Sequence, residues 1–191
     1  MQRALRSLAF ALLASIALAG VAAAGSLHIN PQIAISATNQ QQNDLSVSDK
    51  AKVGWMIGAN VRFGGMPYIS PGLYLQKTAL EITELGSLTA SDVTDVVGVS
   101  SVYIPVKVGV SLAGLRIFAG PALTIVTSVQ DNTLGKTKDD YEDTHTGLEA
   151  GLGFNIAIVT LDFSYEKGLS KVYKESDAKQ DVVRLLAGIQ F

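Results

Sequence analysis

The chain has 191 residues, room for a single domain of ordinary size. It is 48% hydrophobic and 17% charged with a formal net charge of −2, which excludes a disordered chain and leaves no basic footprint for nucleic acid. The absence of cysteine excludes a disulfide framework, a thiolate metal site, a thiol nucleophile and the acylated cysteine of a lipoprotein.

Residues 1–24 read as a secretory signal. Arg3 and Arg6 form a positive start, Leu8 to Val21 is an apolar run, and Ala22-Ala23-Ala24 before Gly25 suits a small-residue cleavage site. The run is short for a membrane-spanning helix and ends in small residues rather than in a charged stop. The domain proper is therefore expected over residues 25–191.

From there the dominant pattern has a period of two, the mark of a strand with two unlike faces. Ile29–Thr38 is a weak first run. In the second, Val53, Trp55, Ile57, Ala59, Val61 and Phe63 share one face, with Lys52, Gly54, Met56, Gly58, Asn60 and Arg62 on the other. Ile69–Thr78 is a weaker third. In the fourth, Val102, Ile104, Val106, Val108 and Val110 oppose Ser101, Tyr103, Pro105, Lys107 and Gly109. Leu115–Thr127 follows as a weak fifth. Leu148, Ala150, Leu152 and Phe154 then oppose Gly147, Glu149, Gly151, Gly153 and Asn155. Leu161, Phe163 and Tyr165 oppose Asp162, Ser164 and Glu166. Val183, Leu185, Ala187, Ile189 and Phe191 oppose Arg184, Leu186, Gly188 and Gln190.

Eight runs of about ten residues suit tilted crossings of a bilayer by antiparallel strands. The connections alternate too. Short ones fall at Gly64–Met66, Leu112–Gly114 and Ile156–Ile158, and long polar ones at Asn39–Ala51, Glu81–Gly98, Ser128–Thr146 and Leu169–Gln180. This is the plan of an all-β, eight-stranded, antiparallel up-and-down transmembrane barrel, with tight turns toward the periplasm and four loops outside.

Glycine decides which face looks inward. Gly54, Gly58, Gly72, Gly109, Gly120, Gly147, Gly151, Gly153, Gly168 and Gly188 all fall on the polar face. A water-facing surface gains nothing from glycine, whereas the lumen of an eight-stranded barrel is so narrow that small residues are needed beside large ones. The apolar face is then the outer one, opposite to a soluble lipocalin-like barrel. Trp55 and Tyr165 toward one rim, and Phe63, Phe154 and Phe191 toward the other, sketch two aromatic girdles. Phe191 closes the last strand, as expected of a terminal signal by which barrel-assembly machinery takes the C-terminal strand.

The hairpin Tyr103-Ile104-Pro105-Val106-Lys107-Val108-Gly109 and Ile117-Phe118-Ala119-Gly120-Pro121-Ala122-Leu123 resembles the middle hairpin of PorT-like outer-membrane β-barrel proteins. Gly72-Leu73-Tyr74, Asp162–Leu169 and the closing Gly188-Ile189-Gln190-Phe191 resemble that family as well. The resemblance implies an eight-stranded outer-membrane barrel in a Gram-negative envelope and, for most members, no defined biochemical activity. The founding member is associated with protein secretion across the outer membrane.

The lumen is expected to hold Lys52, Arg62, Lys107, Arg116 and Arg184 against Glu149, Asp162 and Glu166, with Asn60, Tyr74, Gln76, Tyr103 and Gln190 as neutral partners. Charges in so narrow a space must be paired or hydrated. The pattern predicts a filled, polar-networked lumen, with a narrow ion path as the alternative. Pro105 predicts a local bulge, from which Lys107 reaches carboxylates on other strands.

The acidic run Asp139-Asp140-Tyr141-Glu142-Asp143 lacks the spacing of an EF-hand and reads as a solvated loop. His28 and His145 are the only histidines, and neither Gly-x-Ser-x-Gly nor His-Glu-x-x-His occurs. The expectation is a non-enzymatic outer-membrane protein with a structural or interaction role, without cofactor or metal. Its surroundings would be outer-membrane lipid and lipopolysaccharide. The alternatives are an accessory of an outer-membrane secretion system, a narrow pore, or a soluble binding barrel.

Overall fold

A computed structural model of the chain describes residues 26–41, 52–84, 93–129, 144–170 and 179–191. The expected signal at 1–24 and the acidic run at 139–143 lie outside the described residues. Eight strands follow in order: β1 (Leu27–Gln41), β2 (Lys52–Gly64), β3 (Tyr68–Glu84), β4 (Val93–Leu112), β5 (Leu115–Val129), β6 (Thr144–Ile156), β7 (Val159–Gly168) and β8 (Lys179–Ile189). Each pairs antiparallel with its neighbours, and β8 pairs back onto β1, closing the barrel. At the seam, Ile29 and Phe191 exchange backbone hydrogen bonds at 3.1 and 2.9 Å.

The barrel's stagger follows from the register. Partners run Leu27↔Phe63, Phe63↔Ile69, Ile69↔Val108, Val108↔Ala119, Ala119↔Ala150, Ala150↔Tyr165, Tyr165↔Val183 and Val183↔Ala37. One circuit therefore returns to β1 ten residues above its start. With a rise of about 3.3 Å per residue and strands about 4.8 Å apart, that stagger tilts the strands by about 40°.

Alternation sorts the side chains as the glycines indicate. Ile33, Ile35, Ile57, Leu73, Leu75, Leu152, Phe163 and Leu185 are exposed on the outside. Asn30, Gln32, Asn60, Lys107, Arg116, Glu149, Asp162 and Arg184 are buried inside. This is the reverse of a lipocalin-like barrel, whose apolar face points inward.

Glycine makes room for the larger inward side chains. Phe118 is flanked on its two neighbouring strands by Gly109 and Gly151. Arg116 lies opposite Gly153, and Tyr74 opposite Gly58. A Cβ at Gly58 would stand 2.6 Å from both Cα and Cδ1 of Tyr74, and one at Gly151 would stand 2.6 Å from Cζ of Phe118.

The structure departs from the sequence reading at two places. The expected Glu81–Gly98 loop is strand at both ends, because β3 and β4 stay paired from Leu80↔Val97 out to Glu84↔Val93. Thr78–Ile82 and Val93–Val99 are rich in β-branched residues, which favour a paired ribbon over an open loop. The expected bulge at Pro105 is also absent: the register shift between β4 and β5 falls at Ser100/Ser101 instead. Around Pro105 the β3–β4 offset is the same at Pro71↔Val106 and at Tyr74↔Tyr103. The pyrrolidine ring lies against Gly72 (3.2 Å from a Cβ placed there), so the missing donor costs local ladder contacts and leaves the register unchanged.

The turns are tight. Ala113 and Gly114 both have positive φ (49° and 86°), the requirement of a type I′ hairpin, and Gly64 has φ 95°. At the third turn Ala157 takes φ 53° without glycine's freedom.

Two glycine substitutions separate the packing constraint from a generic effect of added side chains. Gly58→Val is expected to lower unfolding stability in detergent by about 1–3 kcal/mol or to prevent closure, because it overpacks the lumen against Tyr74. Gly65→Ala, where nothing lies within 4 Å of the new atom, should leave the urea midpoint unchanged.

Candidate functional site

The candidate site is the barrel interior, built by inward positions of all eight strands. In its lower half one hydrogen-bonded chain crosses the lumen. Arg116 on β5 meets Asp162 on β7, Nη2 to Oδ1, at 2.6 Å. The other oxygen of Asp162 accepts from Nε2 of Gln32 on β1 at 2.9 Å. Oε1 of Gln32 accepts in turn from Tyr74 OH at 2.6 Å and from Asn60 Nδ2 at 2.8 Å. Ser70 Oγ then donates to Asn60 Oδ1 at 3.1 Å. Thr160 donates to Asn30 alongside at 2.9 Å.

Arg62 lies nearer the turn end. Its Nη2 donates to Gln190 Oε1 at 2.6 Å, and its guanidinium lies 5.5 Å from the centre of the Tyr68 ring. Gln190 reaches His28 at 3.2 Å.

Higher up, charges are answered in pairs. Arg184 on β8 meets Glu166 on β7 at 2.7 Å and stacks 4.0 Å over the Tyr103 ring. Lys107 on β4 stands 3.5 Å from Glu149 on β6 and 4.6 Å over the Phe118 ring. Glu149 is entirely buried and Arg184 nearly so. Ala34, Met56, Tyr74, Tyr103, Ala122 and Leu186 form an apolar cluster that fills the rest of this section.

Seven of the eight charged residues picked out from the sequence, Arg62, Lys107, Arg116, Glu149, Asp162, Glu166 and Arg184, thus lie inside the barrel. Six of them form three ion pairs. The side chain of Lys52 lies outside the described residues; its backbone pairs with Thr38. Trp55, Phe154, Tyr165 and Phe191 are exposed on the outer surface, and Phe63 is half-buried there. Tyr165 also donates to Asp181 at 2.7 Å.

Sequence reasoning missed Gln32, Asn30 and Thr160, which alternate correctly with Ile29, Ile33 and Leu161 and so carried a readable signal. It also missed Tyr68 and Phe118, whose apolar rings argue against an inward position. Only the glycines beside them in the register, Gly64, Gly109 and Gly151, account for their placement.

Above the Arg184–Glu166 pair, at the loop end, lies a cavity of about 50 Å³. Its wall includes Gln76, Thr78, Ser101, Thr124 and His145. The two histidines are therefore at opposite ends of the barrel. Among the described residues, no group of three or more His, Asp or Glu side chains converges as metal ligands.

With that geometry in place, comparison with solved structures gives the fold a setting. Ail, the attachment invasion locus protein of Yersinia pestis, is 17% identical with a TM-score of 0.52. The alignment covers 87% of this chain and 99% of that one, in a crystal structure that holds the heparin analogue sucrose octasulfate. Neisserial surface protein A is 11% identical with a TM-score of 0.56, over 86% of this chain and 97% of that one. Likeness at this identity is likeness of fold: a small closed eight-stranded barrel of the outer-membrane kind, over nearly the whole length of both proteins. No family model matches the sequence, and no curated protein matches it.

The ion pairs make a quantitative expectation. Arg184→Met should destabilise the barrel by about 3–5 kcal/mol, because it strands a buried carboxylate. Adding Glu166→Gln to that variant should recover part of the loss. Urea titration of the parent, both single variants and the double variant in one detergent measures the coupling.

Proposed function

We propose that this protein is a small integral outer-membrane barrel with a structural or interaction role and no catalytic one, its lumen closed by its own side chains. The observation that carries the reading is the sorting of faces on a closed barrel: bulky apolar side chains outside, ion pairs and amides within. An outward surface of that kind is stable only against hydrocarbon or another protein. Ten residues per crossing at about 40° of tilt match an apolar band roughly 25 Å tall.

The same reading places Trp55 and Tyr165 at the outer interface and Phe63, Phe154 and Phe191 at the periplasmic one. Lys77 pairs with Trp55, and Lys167 with Asp181, so charge begins where the upper aromatics end. The apolar run at 1–24 would export the chain. Phe191 would present the C-terminal strand to barrel-assembly machinery, with lipid and lipopolysaccharide around the finished barrel. The Ile-Pro…Ala-Gly-Pro hairpin supports kinship with PorT-like barrels, and a role as accessory to a secretion system follows from that kinship alone.

A narrow pore is the weaker reading. Met56, Tyr74, Tyr103 and Leu186 are fully buried across one section beside two ion pairs, which leaves ions no open path. In planar bilayers the protein should show no discrete channels, and steady single-channel conductance would overturn the closed-lumen reading. The membrane reading has its own check. The protein should resist extraction from membranes by urea and run as a shifted, compact band until boiled. Leu152→Arg, on the outer surface, should cost about 2–4 kcal/mol of stability in bilayers. Loss to the urea wash, or no cost for the arginine, would count against a lipid-facing exterior.

A further inference from the structure

The cavity at the loop end is not explained by a closed, self-filled lumen. We propose that it is a binding site for one edge of a single neutral sugar unit, a hexose with two or three adjacent hydroxyls. The proposal goes beyond the membrane reading and stands on the cavity.

One buried hydrogen-bond acceptor at the cavity is unmet. Gln76 lines the cavity and is 5% exposed. Its amide nitrogen is committed to Thr78 Oγ1 at 3.0 Å, and its Oε1 has no partner. A buried acceptor left so costs about 1–3 kcal/mol unless a donor fills the space before it. An apolar ligand would leave that cost in place, whereas a hydroxyl removes it.

Charge at the cavity favours a neutral guest. The cavity floor is the Arg184–Glu166 ion pair, already joined at 2.7 Å. Below it Lys107 faces Glu149. An anion entering would meet the Glu166 carboxylate, and a cation would meet Arg184. A neutral hydroxyl group both donates and accepts, and so suits both partners. The wall adds the hydroxyls of Thr78, Ser101 and Thr124, and between them Val99, Val126 and Val182 offer apolar surface suited to the C–H face of a sugar ring.

Size limits the guest. About 50 Å³ is room for roughly two waters at their liquid volume of about 30 Å³ each. Hydroxyls on one edge of a hexose can replace such waters and reproduce their hydrogen bonds, the condition under which displacement does not lose affinity. A whole oligosaccharide does not fit, so any longer glycan would enter by one residue.

The test uses the full mature chain refolded in detergent micelles, with the heat-dependent band shift checked first. A barrel that fails to form is thereby separated from one that fails to bind. Amide shifts are followed by NMR during titration with glucose, galactose, a dephosphorylated lipopolysaccharide core oligosaccharide and inorganic phosphate. Saturable shifts at Gln76, Ser101 and Thr124 with free hexose support the site. Saturation with the oligosaccharide alone also supports it and assigns the sugar to a glycan rather than to free solute. Gln76→Leu should weaken binding about tenfold, the loss of one hydrogen bond to a buried acceptor. Thr124→Val, nearly isosteric, gives a second reading if the first variant does not fold, with an expected loss of several-fold. The proposal is overturned by no saturation with any sugar, by a stronger response to phosphate, or by undiminished binding in the folded variants.

Discussion

The width of the lumen governs the rest of the structure. Eight strands staggered by ten residues enclose a space that side chains just fill below the loop-end cavity, with no room there for bulk water to solvate a charge. Every ionised group that points inward must therefore be answered from another strand. Arg116 finds Asp162 and Lys107 finds Glu149, each across an intervening strand, and Arg184 finds Glu166 on the strand beside it. The glycines serve the same constraint from the other side. The Phe118 ring occupies the space that Gly151 leaves, and the Tyr68 ring the space that Gly109 leaves. Polar content and glycine content are two responses to one fixed diameter.

An inside-out barrel also shifts where stability comes from. A soluble domain gains most from apolar burial, whereas the buried interior here is largely amides, hydroxyls and ion pairs. In the hydrocarbon surroundings proposed above, backbone groups would have no alternative partner, and the closed ladder of backbone hydrogen bonds would carry a larger share. The lumen network adds specificity of register. A slip of one residue would turn Arg184 to the outer face and Leu185 inward beside Glu166, exchanging both faces at once.

Much of this was legible in the sequence, because period two, glycine placement and loop lengths each reflect a single physical requirement. Strand order and the facing of Lys107, Arg116, Glu149, Asp162, Glu166 and Arg184 follow from those requirements. The pairing of particular cations with particular carboxylates does not, since it depends on the stagger, and stagger is a property of closure rather than of any one strand. Tyr68 and Phe118 were illegible for a related reason: ring and glycine lie on different strands, and only the register brings them together. The length of the β3–β4 hairpin was misread because polar residues such as Glu81, Thr83, Thr94 and Asp95 suggest a loop, although they pair as a ladder. Pro105 misled in the other direction, because Gly72 opposite it absorbs a ring that would otherwise break the register.

The bond from Gln32 to Asp162 joins residues 130 apart in the chain. It belongs to the first strand and the seventh, and the seam pairs of β1 wait on the eighth. Contacts of such long sequence separation are repaid only after most of the chain is placed. A nascent barrel lacking only β8 would hold Asp162 without Gln32 in reach and Glu166 without Arg184. Such an intermediate carries open strand edges together with unanswered charge, both costly in an apolar medium. Assembly is thereby biased toward a concerted ending, in which closing the wall and neutralising the interior are the same event.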